Sequence, residues 1–205
     1  MIPIIHDFTG KRVTIFGGGR VGLRKAVYFS GESDLTIISG NFLPEFRSIN
    51  AELVKKELSG ISEISGIIKN SALVIAATSD KSLNNKIGEI CRSENIPFNN
   101  ADGEPGDIII PSMIKGENYT IAVTTGGKSP GISRHIRIIL EDNCKNLDEM
   151  IEITEETRKS LKNTIENQSE RNRIIRKILN DKTAWEQLEK DKNSAREYIF
   201  GKYLA

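Results

Sequence analysis

Residues that usually hold metals or form disulfides are scarce in this chain of 205 residues. It has two cysteines, Cys91 and Cys144, and two histidines, His6 and His135, and neither pair has a metal-ligand or C-x-x-C spacing. The scarcity argues against a disulfide framework and against a structural metal, so no metal site is predicted. Unpaired thiols are typical of a reducing compartment, which predicts a cytoplasmic protein.

A strong charge of either sign and a long apolar run are also absent. The chain has 29 lysines and arginines against 28 aspartates and glutamates, a formal net charge of +1. Such a balance creates no whole-protein field that would attract nucleic acid or a membrane surface. No apolar run reaches membrane-spanning length, and the first residues do not have the pattern of a signal peptide. The sequence therefore predicts neither a nucleic-acid partner nor a membrane partner.

Strand and helix patterns alternate over residues 11–111, which is typical of a parallel sheet flanked by helices. Residues 72–77 are continuously apolar, as expected for a strand buried on both faces. The pattern also predicts a helix over residues 44–50 and a strand over residues 53–58.

The composition changes after Pro111. A strand is predicted over residues 119–125, and a helix follows with Ser129 at its N-cap and Pro130 as its first residue. From residue 141 the chain is helical and rich in charges of both signs, which indicates solvated helix faces. Its apolar stripes indicate helix packing and not a cofactor pocket.

A glycine-rich turn lies between the first predicted strand, residues 13–16, and a helix that begins near Arg20. Gly17, Gly19 and Gly22 fit the pattern G-x-G-x-x-G. In this motif the glycines permit a tight turn, close approach of a pyrophosphate and close packing of helix on strand. The preceding strand and following helix supply the context that the motif requires. The predicted cofactor contacts are Gly17, Gly18, Gly19, Arg20, Val21 and Gly22.

The second predicted strand ends without the acid that NAD-binding folds usually place there for the ribose hydroxyls. Ser39, Gly40 and Asn41 occupy these positions, and Ser39 and Asn41 are taken as candidate contacts. The ribose contact is therefore weaker or made elsewhere. Arg20 and its basic neighbours in the following helix leave a 2′-phosphate, and hence NADP, as an open alternative.

Two further polar positions follow predicted strands at the edge where open α/β sheets bind ligands. Thr78 either lies along the cofactor or is a loop hydroxyl beside Asp80, which would cap the next helix. Asp102 either takes or steers a proton while a neighbouring carbon gives up hydride, or it is the first residue of an Asp-Gly turn.

The turn Gly126–Pro130 has the sequence Gly-Gly-Lys-Ser-Pro and lies at the start of a predicted helix. It forms either a backbone nest for a substrate carboxylate or a simple link from strand to helix. Lys128 and Arg134 are the candidate cations for substrate carboxylates.

Together these motifs resemble the siroheme synthase family, specifically its precorrin-2 dehydrogenase and sirohydrochlorin ferrochelatase module. The resemblance runs from Pro3 to Pro130 in the same order, while the helical tail is similar only in length and character. The motifs that carry it are Pro3-Ile4, residues 17–25, residues 76–80 with Asn84, residues 99–102, residues 110–112 and residues 122–130.

The resemblance implies an α/β fold in three parts. These are a Rossmann-like NAD-binding domain over residues 1–112, a small α+β dimerisation segment over 113–145 and a helical C-terminal domain over 146–205. The strand at residues 119–125 has an edge that a second copy would cover, so a homodimer is expected.

The resemblance also implies NAD-dependent oxidation of precorrin-2 to sirohydrochlorin, with Asp102 as the catalytic group. Asn99, Lys128, Ser129 and Arg134 are then the candidate substrate contacts. Two alternatives stay open: a bifunctional enzyme that also inserts ferrous iron, and a non-catalytic dimer that senses NAD. Any iron insertion is expected to need no fixed metal site, because the tetrapyrrole nitrogens are themselves ligands.

Overall fold

The computed structural model describes residues 2–58 and 60–204. The chain forms two compact units, the first ending at Ile110 and the second beginning at Pro111. The functional division at residues 112 and 145 remains a prediction, since compactness alone assigns no role to a segment. Among the described helices, none combines the length and the apolar character needed to cross a membrane.

The first unit contains a five-stranded sheet in the order β3-β2-β1-β4-β5, with every neighbouring pair parallel. This confirms the predicted α/β fold with a Rossmann-like sheet. The strands are β1 Arg12–Phe16, β2 Asp34–Ser39, β3 Glu52–Lys55, β4 Leu73–Ala76 and β5 Phe98–Asn100. The helices are α1 Arg20–Phe29, α2 Ile61–Ile68 and α3 Lys81–Ser93.

Apolar layers cover both faces of this sheet. One core cluster joins the sheet to Ile64 of α2 and Ile87 of α3, and the other joins it to Ala26 of α1 and to Phe46. All four residues of β4 are buried, as predicted for the continuously apolar run at residues 72–77. Because its faces are covered, the sheet leaves its carboxyl edge for ligand contacts.

Two predicted elements differ from the structure. The helix predicted over residues 44–50 is a short 3-10 helix, Pro44–Ser48, closed by the bond from the Ile49 N–H to the Phe46 carbonyl. The strand predicted over residues 53–58 is β3 and ends at Lys55. It ends there because Lys55 pairs with Ser39, the last residue of β2, so the chain beyond it has no strand to pair with.

The second unit begins with an antiparallel pair, β6 Ser112–Lys115 and β7 Thr120–Val123. The sequence predicted only the second of these strands, since β6 lacks the run of β-branched residues that marks β7. The turn between them is held by Asp148, whose carboxylate accepts from the N–H groups of Glu117 and Asn118. One edge of the predicted strand is therefore covered within the chain.

Helices complete the second unit. They are α4 Pro130–Asn143, α5 Leu147–Thr164, α6 Gln168–Leu179, α7 Lys182–Lys190 and α8 Lys192–Tyr203. The last four share one apolar core, which includes Met150, Ile178, Leu188 and Ile199. This confirms that the apolar stripes of the charged tail serve helix packing.

A carboxylate cluster joins α7 to α8. Asp181 caps α7 by accepting from the Thr183 N–H, and its Oδ2 accepts from Lys202 Nζ at 2.9 Å, from the Tyr203 hydroxyl at 2.9 Å and from the Tyr198 hydroxyl at 3.0 Å. Bonding to Lys202, and then to the two tyrosines, lowers the pKa of Asp181 to about 2. We call Asp181, Tyr198, Lys202 and Tyr203 the Asp181 cluster.

Candidate functional site

The glycine turn is built as the motif requires, because two of the three motif glycines, Gly17 and Gly22, have no room for a side chain. A Cβ at Gly17 would lie 2.3 Å from the Ala77 carbonyl oxygen, and one at Gly22 would lie 1.9 Å from the Gly17 oxygen. Gly17 also has a φ of +123°, in the region that favours glycine. These two residues let α1 start directly against β1 and β4.

Gly19, in contrast, borders open space. A Cβ at Gly19 would meet no atom within 4 Å, and Gly19 is the N-cap of α1. That helix has no side-chain cap and no acid in its first turn, and Arg20 and Val21 are exposed. The unbonded N–H groups and the positive end of the helix dipole are thus available to an anion. The turn fits a dinucleotide pyrophosphate.

Gly18 faces the protein and not the open side of the turn. A Cβ at Gly18 would lie 2.1 Å from the Asn41 carbonyl oxygen, and the Leu43 N–H donates to the Gly18 oxygen at 3.0 Å. Gly18 therefore fastens the glycine turn to the segment after β2. Along that segment Ser39 is half-buried and Asn41 is exposed. Their ribose contacts stay a prediction.

Asn84 links the loops that follow β4 and β5. Its side chain is fully buried, and its Oδ1 accepts from the Thr78 N–H at 3.1 Å and from the Thr78 hydroxyl at 2.7 Å. Its Nδ2 donates to the Thr78 carbonyl at 3.1 Å and to the Asp102 carbonyl at 3.3 Å. Although Asn84 belongs to the motif that carries the resemblance, the sequence did not place it among the site residues.

Thr78 has the loop role that the sequence left open, since its hydroxyl donates to the Asp80 carbonyl at 3.1 Å and accepts from the Asp80 N–H at 3.2 Å. It is half-buried at the carboxyl end of β4, and its hydroxyl is occupied by Asn84. Asp80 caps α3 by accepting from the N–H groups of Ser82 and Leu83. The loop reading is thus confirmed for Asp80, and a cofactor contact of Thr78 stays a prediction.

The turn that carries Asp102 is held by side-chain amides. The Asp102 N–H donates to Asn100 Oδ1 at 3.2 Å, and Asn85 Oδ1 accepts from the Glu104 N–H at 3.0 Å. Gly103 has a φ of +157°, and a Cβ there would lie 2.4 Å from Asn85 Oδ1. The backbone on both sides of Asp102 is therefore fixed while its side chain is free of the turn.

The Asp102 carboxylate points outward from this turn. It is 62% exposed and forms an ion pair with Lys81 Nζ at 3.1 Å. Lys81 is itself 69% exposed at the start of α3, so the pair is well hydrated and contributes at most about 1 kcal/mol. An exposed carboxylate on a fixed backbone, at the same sheet edge as the glycine turn, can accept a proton from a bound substrate.

Asn99, predicted to contact substrate, is buried beneath the same loop. Its Nδ2 donates to the Ile108 carbonyl at 2.7 Å, and its Oδ1 is buried without a hydrogen-bond partner in the described chain. The bond to Ile108 gives Asn99 a structural role, because it holds the segment around Ile108 against β5. Its contact with substrate stays a prediction.

The turn before α4 uses most of its N–H groups internally. Gly126 donates to Thr124 Oγ1 at 3.1 Å and Ser129 donates to Thr125 Oγ1 at 2.9 Å, while Lys128 donates to the Thr125 carbonyl at 3.3 Å. This reduces the capacity of the turn to act as a backbone nest. Ser129 is the N-cap residue of α4, as predicted, but its side chain makes no cap bond.

The candidate residues divide between the two units. The first unit brings the glycine turn, Ser39, Asn41, Thr78 and Asp102 to the carboxyl edge of one sheet. Lys128, Ser129 and Arg134 belong to the second unit, where Lys128 and Arg134 are exposed. The long side chains of both cations are thus available to an anionic ligand.

Neither cysteine adds a nucleophile to the site. Both are free thiols, as predicted, and Cys91 is buried in α3. Burial raises the pKa of Cys91 to about 12, which keeps it protonated at neutral pH.

Burial also lowers the pKa of Lys25 in α1 to about 8, with a smaller contribution from Arg24.

Comparisons with known proteins agree with this geometry. A family model described as NAD(P)-binding matches residues 4–112. Precorrin-2 dehydrogenase of Methanosarcina barkeri is 35% identical to this chain, over 97% of the chain and 92% of that protein. Siroheme synthase of Ectopseudomonas mendocina is 34% identical, over 68% of this chain and 30% of that longer protein.

A solved structure shares the fold over nearly the whole length. The protein named SirC, precorrin-2 dehydrogenase, aligns with a TM-score of 0.75 and 20% identity, covering 97% of each chain. At this identity the likeness concerns the fold, which here includes the helical tail as well as the sheet.

Proposed function

Because this chain belongs to the family of the precorrin-2 dehydrogenases, we propose that it catalyses the NAD-dependent oxidation of precorrin-2 to sirohydrochlorin in siroheme synthesis. One structural observation supports the proposal in addition to family membership. The open glycine turn at Gly19 and the fixed, exposed Asp102 lie at the carboxyl edge of the same sheet. This edge is where a dinucleotide and a catalytic group have to meet.

The site residues have separate roles in the proposed reaction. The turn at Gly19 and the start of α1 bind the pyrophosphate, and bound NAD supplies the hydride acceptor. Asp102 accepts the proton that the substrate loses as its hydride leaves. Asn84, Asn85 and Asn100 hold the backbone that presents this carboxylate.

Precorrin-2 carries many carboxylates, so the chain has to offer cations as well as a base. Lys128 and Arg134 are exposed and suited to this role, and a hydroxyl of Ser129 can add a hydrogen bond. Because the N–H groups of this turn are largely occupied, we assign the carboxylate contacts to side chains.

The proposal is tested by following absorbance while purified protein is mixed with precorrin-2 and NAD. Formation of sirohydrochlorin with equimolar NADH is expected. NAD binding without turnover would contradict the enzyme and favour the NAD-sensing dimer.

Adding ferrous iron to the product of the same reaction tests the second activity. Among the described residues, no group of three or more His, Cys, Asp or Glu is placed to hold a metal ion. Iron insertion would therefore depend on the tetrapyrrole nitrogens as ligands. Tight stoichiometric binding of cobalt or zinc without tetrapyrrole would contradict that account.

We also propose a homodimer formed by residues 113–145. Ile132, Ile136 and Ile139 lie on one face of α4 and are 51%, 38% and 49% exposed. The pair β6–β7 has open outer edges in addition. An apolar helix face beside open strand edges is typical of a surface that a partner covers.

Light scattering at micromolar concentration tests the dimer. Wild type is expected at twice the monomer mass, and Ile136→Glu with Ile139→Glu at the monomer mass. Lys162→Glu changes the net charge by the same amount outside residues 113–145 and serves as the control. A monomeric wild type, or a dimeric double variant, would contradict the proposal.

A cytoplasmic location likewise stays a prediction, based on the unpaired thiols.

A further inference from the structure

A carboxylate from the neighbouring strand lies where the acid after β2 is missing. The last residue of β2, Ser39, pairs with Lys55 at the end of β3, and the Lys56 N–H donates to the Ser39 carbonyl at 3.0 Å. The two chains therefore leave the sheet side by side. Gly40 and Glu57 follow directly on these two paths.

The side chain of Glu57 lies against Gly40. A Cβ at Gly40 would lie 2.8 Å from Glu57 Cγ and 3.1 Å from Glu57 Oε1, and the nearest atoms all belong to Glu57. Gly40 is not among the glycines with positive φ, so its backbone would accept other residues. The side chain of Glu57 occupies the space that an acid at position 40 would enter.

This space adjoins the cofactor turn. Asn41, the residue after Gly40, packs its carbonyl oxygen against Gly18, and Leu43 bonds to the Gly18 oxygen. In dinucleotide-binding folds the acid after β2 contacts the adenosine ribose beside such a turn. Glu57 thus brings a carboxylate to the ribose side of the turn from a different strand.

The carboxylate of Glu57 is available for this contact. Glu57 is exposed, and within residues 2–58 and 60–204 it has no ion-pair or hydrogen-bond partner. The neighbouring Lys56 is engaged with Glu63 at 2.6 Å. Leu58 lines an open depression of about 180 Å³, whose lining combines apolar side chains such as Ile61 with the polar side chains of Asp80, Ser82 and Lys86.

We propose that Glu57 accepts hydrogen bonds from the ribose hydroxyls of NAD and so replaces the missing acid after β2. The same negative charge repels a 2′-phosphate, which makes Glu57 the residue that selects NAD over NADP. The inference rests on the proposed NAD-dependent function and names the group that sets its cofactor preference.

A rival arrangement uses nearby cations. Arg47 and Lys55 line another open depression beside Asn41, and with Arg20 they could hold a 2′-phosphate. The two arrangements predict opposite cofactor preferences for wild type and opposite responses to the loss of Glu57.

Isothermal titration calorimetry of the full chain with NAD and with NADP separates them. Glu57→Gln keeps the size of the side chain but removes its charge, so the Kd for NAD should rise roughly tenfold. The Kd for NADP should stay the same or fall. Glu45→Gln removes a nearby exposed charge that does not touch Gly40, and it should leave both values unchanged.

A second variant moves the acid instead of deleting it. Gly40→Asp combined with Glu57→Ala restores a carboxylate after β2 and clears the space that it needs. This double variant should bind NAD more tightly than Glu57→Ala alone, and nearly as well as wild type. Circular dichroism confirms that each variant is folded before titration.

The results distinguish this inference from the proposed function. Unchanged NAD binding in Glu57→Gln, with wild type turning over precorrin-2 and NAD, would overturn the role of Glu57 and leave the function standing. NADP bound at least as tightly as NAD by wild type would overturn it as well. No NAD binding by wild type would overturn both.

Discussion

The carboxyl edge of the sheet and the Asp181 cluster both contain an aspartate in a polar network, but they use it in opposite ways. At the sheet edge the bonds go to the backbone around Asp102, whose carboxylate is left 62% exposed. In the cluster the bonds go to the carboxylate of Asp181, which is only 11% exposed. The first arrangement fixes the backbone position of Asp102 and leaves its carboxylate exposed. In the second, the carboxylate of Asp181 is occupied by three hydrogen-bond donors.

This difference between the two aspartates predicts that substitutions in the two regions affect different quantities. A substitution at the sheet edge that spares the backbone should change binding or turnover while the fold persists. A substitution in the Asp181 cluster should change the free energy of unfolding and leave the chemistry intact. The following predictions test this separation.

The largest effect is expected at Asp102. Asp102→Asn keeps the shape of the side chain but removes its basicity, so kcat should fall by roughly 10²–10⁴ while the Kd for NAD changes little. Steady-state kinetics and NAD titration measure the two quantities.

Lys81→Gln is the control for this variant. It removes the exposed ion-pair partner and should lower kcat by less than about fivefold. Turnover near the wild-type value in Asp102→Asn would show that Asp102 is only a turn residue, since asparagine serves equally well in such turns.

The glycine turn offers a pair of variants with different outcomes. Gly19→Ala adds a methyl group where only the cofactor would meet it, so the Kd for NAD should rise by roughly 100-fold, about 2.7 kcal/mol. Its loss of Tm should be small, because alanine is only a poorer N-cap residue than glycine. Gly22→Ala adds the same group against the Gly17 carbonyl oxygen and should destabilise the fold by about 1–3 kcal/mol or more.

Calorimetry and thermal unfolding compare the two glycine variants. Equal losses of Tm in both would show that the space at Gly19 is required by the fold. Unchanged NAD binding in Gly19→Ala would place the pyrophosphate elsewhere.

The smallest effect is expected in the Asp181 cluster. Asp181→Ala removes a helix cap and the acceptor of three side-chain donors, which should lower the free energy of unfolding by about 2 kcal/mol. Because the folded pKa is lowered to about 2, the stabilisation is complete above about pH 4 and is lost as pH falls toward 2.

Urea unfolding of wild type and Asp181→Ala at several pH values measures this effect. The difference between the two proteins should shrink between about pH 4 and pH 2, while kcat at neutral pH stays the same. A difference that does not depend on pH in that range would assign the loss to packing and not to the charge.

The sequence predicted the parts of the site that depend on local signals. A strand, a glycine turn and a helix follow one another within a few residues, so this local structure was predicted without knowledge of the fold, and it is confirmed. The position of Asp102 after a predicted strand left a turn residue and a proton acceptor open, and only the family resemblance favoured the second, which stays a prediction. Neither prediction needed knowledge of distant contacts.

Long-range contacts account for what was missed. Asn84 is one amide inside a helix, and its function comes from two loops that meet only in the folded sheet. Glu57 becomes relevant only because β3 pairs with β2 and ends beside Gly40. Strand β6 was missed because its four residues include only one β-branched residue, whereas β7 includes three, and pairing with β7 decides the structure of β6.

The buried amide of Asn84 has a consequence for the entropy of catalysis. Since one side chain bonds to the loop of Thr78 and to the carbonyl of Asp102, these two loops cannot rearrange independently. The conformational entropy of the loop that carries Asp102 is therefore lost during folding and not when the substrates arrive. Binding energy from the cofactor and the tetrapyrrole is then free to orient the reacting atoms, which is the condition for rapid chemistry in a preorganised site.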